Sequence, residues 1–296
     1  MIALGVIGHG RYAQALRDHE APLGRVHVSA CAAAVDGSDS DQVSAFAEWA
    51  GVAMRSWQSV ASDPDLPALL VLGPAATRAE VVAMGLARGK IVLCPGASGI
   101  ASPQGTGVLL GGGEITHSTA GRHGLQAMQA PGFGAMRSLY LSIHQPRGGQ
   151  GCVIEALGAE ALDFVLRAVP GPFSRVRVTR GHLFGTDCDT AVLLLRSESD
   201  VVVTIELARC LPASLPAPGL GEVEIDAMGA AQSVRITPAA SAVQVHTDTG
   251  RQALPWQDAP ILAMLHDIER AVDSPVANNG FAHATRLFGL LERCRA

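Results

Sequence analysis

Near the start of the chain, Gly8-His9-Gly10-Arg11-Tyr12-Ala13 follows the short apolar run Ile2–Ile7. Gly8, Gly10 and Ala13 fit GxGxxG/A spacing. Each position has a physical job. The first glycine permits a tight turn out of a strand. The second lets backbone approach a pyrophosphate with no Cβ in the way. The small third residue lets the following helix pack close to the strand. That helix then presents N–H groups and a positive dipole end to the phosphates. The structural alternative is a tight turn that holds no ligand.

Groups able to move protons lie further along. Glu160 and Asp163 stand at i and i+3 of an apolar helical segment. Such a pair shares a helix face, and burial or a neighbouring acid can turn one carboxyl into a base. The alternative is a solvated helix face. His117 and His123 follow the glycine run Gly111–Gly113, and imidazole titrates near neutral pH. His182, with Asp187 and Asp189, sits on a loop between strand-like runs. No HExxH, HxH or Cys/His spacing is present, so a metal site is not expected. No GxSxG elbow and no GxxxxGK[ST] loop occur.

The elements that must position these residues change character along the chain. Strand-like runs Ile2–Ile7, Val26–Ala33, Ala68–Leu72, Ile91–Cys94 and Val108–Leu110 come first. They alternate with helical segments Tyr12–His19, Asp41–Trp49 and Ala79–Ala87, with Gly51 and Gly89 as stops. This alternation predicts a parallel, doubly wound sheet. After about residue 115 strands dominate: Leu139–His144, Arg175–Thr179, Ala191–Leu195, Val201–Leu207, Glu222–Ala227, Val234–Thr237 and Ala242–His246. Ser197–Asp200 reads as a hairpin turn. Helices are expected at His123–Gln129, Ala156–Val169, Pro260–Val272 and Ala282–Arg293. The expected fold is therefore α/β. A Rossmann domain spans 1–115, and an α+β domain for substrate and oligomerisation, with a mostly antiparallel, open sheet, spans 116–296; its final helix is a candidate to pack back on the first domain.

The chain has 296 residues, 48% of them hydrophobic and 17% charged, which is enough apolar material for two buried cores. The net charge of −5 shows no basic stripe, and aromatic residues make up only 4%. Neither a nucleic-acid nor an anionic-membrane partner has support. Six cysteines occur without a CxxC pair, which suggests reduced thiols. No signal peptide or membrane-length apolar run is read, so cytoplasmic residence is the expectation.

The order of motifs resembles the glucose-fructose oxidoreductase / inositol dehydrogenase (Gfo/Idh/MocA) family over nearly the whole chain. Gly8–Ala13 is similar to its opening fingerprint. Ala45-Phe-Ala-Glu-Trp-Ala-Gly51 is similar to its second helix, and Gly89-Lys-Ile-Val-Leu-Cys94 to its GKHVLC strand. Gly134 stands where the family enters its second domain. Gln150–Asp163 and Glu224–Ser233 resemble two later segments. The resemblance implies NAD or NADP held by Gly8, His9, Gly10, Arg11, Tyr12 and Ala13, with Gly73, Pro74 and Arg78 after the third strand. It also implies a small polar substrate such as a sugar, polyol or amino-acid derivative.

The departures matter. The family's Glu-Lys-Pro lysine falls at Gly96, and its histidine falls at Glu160. Asp163 matches, while Arg78 stands where a histidine is frequent. A ribose-binding acid is absent at the end of the second strand, where Ala32 or Ala33 stands. Asp36 would serve only if its loop bends back, so neither NAD nor NADP is favoured. Two readings follow: an oxidoreductase using Glu160, Asp163 and His117 or His123, or a degenerate relative acting as a non-catalytic subunit, regulatory protein or ligand-binding module. Val202, Ile205 and Leu207 are expected on an exposed sheet face that forms a homo-oligomer, dimer or tetramer.

Overall fold

The computed structural model describes residues 1–296 apart from 19–22, 74, 97–98, 149–150, 186–187, 215–219, 238–241, 248–249, 256–259 and 275–278. Two compact units emerge. The first comprises 1–112 and 259–289; the second comprises 113–258 and 290–296.

The first unit is built on five parallel strands: β1 (Ile2–Ile7), β2 (Val26–Ala32), β3 (Ala68–Val71), β4 (Ile91–Pro95) and β5 (Val108–Gly112). Their order is β2-β1-β3-β4-β5. Every residue of β3 and β4 is buried, so these strands read as unbroken apolar runs. Helices α1 (Arg11–Arg17) and α2 (Ser40–Ala50) supply Leu16 and Phe46 to one core layer. Further along the chain, Pro260–Asp273 adds Ile261, Met264 and Ile268 to that layer. Helices α3 (Trp57–Ser62) and α4 (Ala75–Ala87) cover the other face through Val60, Val82 and Leu86. This is a doubly wound arrangement. Burial of each Leu or Val contributes about 1.5–3 kcal/mol.

Local signals explain several boundaries. Gly51 ends α2 in a left-handed conformation at φ 67°. Ser56 caps α3 by accepting the Ser59 amide at 3.2 Å. Helix α3 is absent from the sequence reading, because six residues carry too little periodicity.

The second unit opens with α5 (Glu114–His117), α6 (Thr119–Gln129) and a 3-10 turn at Pro131–Phe133. Next come β6 (Ser138–Pro146), α7 (Val153–Ala168), β7 (Phe173–Gly181), β8 (Thr190–Ser197) and β9 (Val202–Leu211). The remaining strands are β10 (Glu222–Met228), β11 (Gln232–Thr237), β12 (Ala242–Thr247) and β13 (Gly250–Pro255). Two helices follow in the chain, α8 (Pro260–Asp273) and α9 (Asn279–Arg295). The sheet order is β13-β12-β11-β10-β6-β9-β8-β7. Only β6 with β9 is parallel; the other neighbouring pairs are antiparallel. The Ser197–Asp200 hairpin is present, with Asp200 left-handed at φ 64°. Strand β13 is an addition to the strands expected from sequence.

One expectation about this sheet is corrected. Ile205 and Leu207 are fully buried, whereas Val202 is 48% exposed. Side chains alternate along a strand, so Val203, Ile205 and Leu207 form one side of β9. Leu139, Leu141 and Ile143 of β6 and Ile225 and Ala227 of β10 are buried on the same side by register. Helix α7 packs there against β6, β8 and β9. The open face instead carries Val192, Leu194, Val202 and Met228.

Candidate functional site

The parallel sheet reverses its winding between β1 and β3. Ligands of such sheets sit outside the carboxyl ends of the strands at that switch point. The glycine turn lies there. Ile7 of β1 pairs with Val71 of β3, and the Leu72 amide donates to the Ile7 carbonyl at 2.8 Å.

Gly8 and Gly10 are glycines for different reasons. At Gly8 φ is +87°, and a Cβ would stand 2.7 Å from the Leu72 carbonyl oxygen. Close passage of the turn over β3 therefore excludes a side chain. At Gly10 φ is +151°, and a Cβ would meet nothing within 4 Å. The backbone conformation demands glycine there, and the space beside it is open. Gly10 is also the N-cap of α1 and brings no side-chain cap. Ala13 is fully buried and Tyr12 nearly so, both in the core beneath the helix. Gly73 turns the chain out of β3 at φ +94°. Pro74 and the side chain of Arg11 lie outside the described residues.

Asp39 organises this turn, and it is absent from the sequence reading. Its Oδ2 accepts the His9 amide at 2.6 Å and its Oδ1 accepts the Ala34 amide at 2.8 Å. Although Asp39 is the N-cap residue of α2, its side chain does not cap that helix. It ties the glycine turn to the end of β2 instead. Asp36 does not bend back toward the turn. Its carboxylate accepts from the Ser38 hydroxyl at 2.8 Å and from the Ser38 amide at 3.1 Å. Those bonds hold the exposed Asp36 carboxyl below its usual range.

At the carboxyl end of β4, Arg78 from the first turn of α4 donates from Nη1 to the Pro95 carbonyl at 2.6 Å. Its Nε is buried without a partner. Gly96 has φ +73° and donates its amide to the Gly112 carbonyl at 3.1 Å. A lysine placed on this left-handed backbone would be strained. Ala97 and Ser98 of the neighbouring Gly-Ala-Ser-Gly segment lie outside the described residues.

A separate cavity of about 750 Å³ opens at the amino-terminal edge of the same sheet, lined by Arg88, Lys90, Thr106 and Val108 among others. The Lys90 ammonium is spent there on the Asp63 and Leu66 carbonyls. The switch-point glycines are at the opposite edge.

In the second unit, Glu160 and Asp163 converge on the start of α5. Both are buried, so they do not form a solvated face. Glu160 Oε2 accepts the Glu114 amide at 2.6 Å. Asp163 Oδ2 accepts the Gly113 amide at 3.0 Å and the Thr116 hydroxyl, and Arg167 donates to both Asp163 oxygens at 3.3 Å. A Cβ on Gly113 would stand 2.0 Å from Glu160 Oε2, so a side chain there would have to push that carboxylate aside. Two helix-borne carboxylates thus take backbone donors that a four-residue helix leaves open.

His117 is brought into the same cluster. It is buried, and its Nδ1 lies 3.0 Å from the Gly113 carbonyl. A carbonyl only accepts, so Nδ1 carries a proton in this contact. His123 is not part of this cluster; it is exposed on α6. His182 is separate, Asp189 is occupied by the Leu183 and Phe184 amides, and Asp187 lies outside the described residues. Among the described residues no group of three or more His, Cys, Asp or Glu is placed to hold a metal ion. No described helix is long and apolar enough to cross a membrane.

No protein-family model matches the sequence, and no curated protein matches it. Solved structures do match in fold. UDP-N-acetylglucosamine 3-dehydrogenase from Acidithiobacillus ferrooxidans is 15% identical at TM-score 0.78, covering 99% of this chain and 96% of that one. Levoglucosan dehydrogenase in complex with NADH is 13% identical at TM-score 0.79, with the same coverage. An NAD-binding oxidoreductase from Klebsiella pneumoniae is 15% identical at TM-score 0.77, again over 99% and 96%. The two-unit fold described above is the fold of these enzymes.

Proposed function

Taking the shared fold and the sequence resemblance together, we infer that the chain is a Gfo/Idh/MocA protein, and on that premise we propose that it is an NAD(P)-dependent oxidoreductase acting on a small polar substrate. The observation that carries this reading is Gly10, which holds open space at the β1/β3 switch point with a backbone only glycine adopts. The residues present fit a dinucleotide. Gly10 would receive its pyrophosphate against backbone, the bonded amides of Gly8 and His9 and the carboxylate of Asp39 fix the turn, and Gly73 keeps the end of β3 free of bulk. NAD(H) is the first choice, because it is the nucleotide bound to levoglucosan dehydrogenase. Bound there, the nicotinamide supplies hydride exchange with a substrate carbon.

This chain's own residues must supply orientation and proton handling. Arg78 sets a positive charge at the carboxyl end of β4, suited to orient a carbonyl or phosphate oxygen. For the proton we assign His117, whose ring is held in place by the Gly113 carbonyl. Glu160 and Asp163 act as positioning residues, since they hold the amides of the helix that carries His117. His123 remains a secondary candidate.

The engagement of both carboxylates also favours a second reading, a nucleotide-binding relative without turnover. One experiment separates them. NADH formation is followed with a panel of sugars, polyols and hydroxy acids, for the native protein and for His117→Gln. Turnover that falls at least about tenfold in His117→Gln supports the enzyme reading. Nucleotide binding with no turnover on any substrate leaves the second. Equal turnover in both proteins removes His117 from the mechanism.

The open face of the second sheet is proposed as a homo-oligomer interface. Val192, Leu194, Val202 and Met228 are exposed on it. Arg175, Arg177 and Arg196 flank them on β7 and β8, and Glu206, Glu224 and Asp226 flank them on β9 and β10. A two-fold pairing can set basic strands against acidic ones while covering the apolar centre.

A further inference from the structure

Among the six free cysteines, two stand apart. Cys152 is the N-cap residue of α7, and Cys188 lies two residues before β8. The Val153 amide donates to the Cys188 carbonyl at 2.8 Å, so the two segments are tied side by side. The Cys188 thiol donates to the Thr190 carbonyl at 3.5 Å, and the Cys152 thiol is a near neighbour that raises its pKa. A disulfide joins Cα atoms about 4.4–6.8 Å apart. Residues joined by a backbone bond this close, from the amide next to Cys152 to the carbonyl of Cys188, meet that need with little movement. Exposure also differs usefully: Cys152 is half-buried and reachable, whereas Cys188 is buried.

We propose that Cys152 and Cys188 are a redox pair that closes to a disulfide when the protein meets a peroxide. The Cys152 sulfur attacks one peroxide oxygen, the O–O bond breaks, and a sulfenic acid and one water result. The Cys188 sulfur then displaces the sulfenic oxygen. The S–S bond forms, the S–O bond breaks, and a second water leaves with the remaining thiol proton. Two thiols and one hydrogen peroxide become one disulfide and two waters; sulfur is oxidised and peroxide oxygen reduced. Burial, and then the neighbouring Cys152, push the Cys188 thiol up to about 11. That keeps Cys188 a thiol while Cys152 meets the peroxide, and oxidation of Cys152 removes the neighbouring sulfur charge that helps to raise it. The bond would pin the first turn of α7, the helix that bears Glu160 and Asp163, to the segment entering β8. The pair does not depend on whether the protein binds a nucleotide.

The test uses the intact native protein treated with hydrogen peroxide, quenched by alkylation and digested with trypsin. Cleavage after Arg147, Arg167, Arg180 and Arg196 leaves each cysteine alone in its own peptide. The expected result is one linked species of those two peptides, lighter than their sum by two hydrogen atoms. It becomes the main form of both and is reversed by dithiothreitol. Cys152→Ser and Cys188→Ser should each abolish it. Over-oxidised Cys152 beside freely alkylated Cys188 would overturn the proposal. So would no oxidation of either, or preferential linkage to Cys210.

Discussion

The carboxylate of Asp39 holds the backbone amide of His9 at 2.6 Å, thirty residues earlier in the chain. This bond and its twin to Ala34 make the glycine turn a fixed feature rather than a loose loop. Asp39→Ala would leave two donors without their acceptor, at about 1–3 kcal/mol each where buried and less where water reaches them. We expect the protein to stay folded, with a modest fall in stability and an NADH affinity about tenfold weaker. Calorimetric titration of the variant checks this. Unchanged affinity would show that Asp39 serves only β2.

Asp163 is fully buried and accepts from Gly113, Thr116 and Arg167. Asp163→Ala orphans a buried amide and hydroxyl, and a loss of about 2–4 kcal/mol is expected in urea unfolding. Asp163→Asn keeps an acceptor oxygen and should lose less. Equal losses in both would mean that charge, not hydrogen bonding, carries the effect.

Much of this architecture is legible from residue types, and the exceptions have physical causes. Gly8, Gly10 and Ala13 announce the β1–α1 turn because φ and close packing admit few alternatives. The buried parallel strands read plainly because both faces are apolar. The open face of β9 reads wrongly because Val201–Leu207 carries apolar residues at adjacent positions, so a period of two does not choose between Val202 and Val203. Helices α3 and α5 are too short for periodicity. Asp39, Glu160 and Asp163 are hardest to read, because their partners are backbone amides. Asp163 and Glu160 reach Gly113 and Glu114 across 50 and 46 residues of sequence. No side-chain pattern records such a bond.

Leu194 is 45% exposed at the apolar centre of the open sheet face. Leu194→Asp should leave the fold intact and shift sedimentation from a dimer or tetramer toward a monomer. A native protein already monomeric at micromolar concentration would contradict the interface.

Acid stability should depend on Asp63. The Arg55 side chain, then the Asp65 amide, hold its carboxyl below the ordinary carboxylate value. A lowered folded pKa adds stability above the unfolded value of about 3.9, and that stability is lost as pH falls through the folded pKa. Native protein should therefore lose stability below about pH 4 more steeply than Asp63→Asn. Thermal melts between acid and neutral pH make the comparison. Parallel curves would remove Asp63 from the acid transition.

The central claim is that the turn at Gly10 receives a dinucleotide, and calorimetric titration of native protein and Gly10→Val with NADH, then NADPH, tests it most directly. The account predicts saturable binding of NADH by the native protein. It predicts binding at least about tenfold weaker in Gly10→Val, a loss of about 1.4 kcal/mol or more. Native protein that shows no binding to either nucleotide at millimolar concentration, while remaining folded, would contradict it.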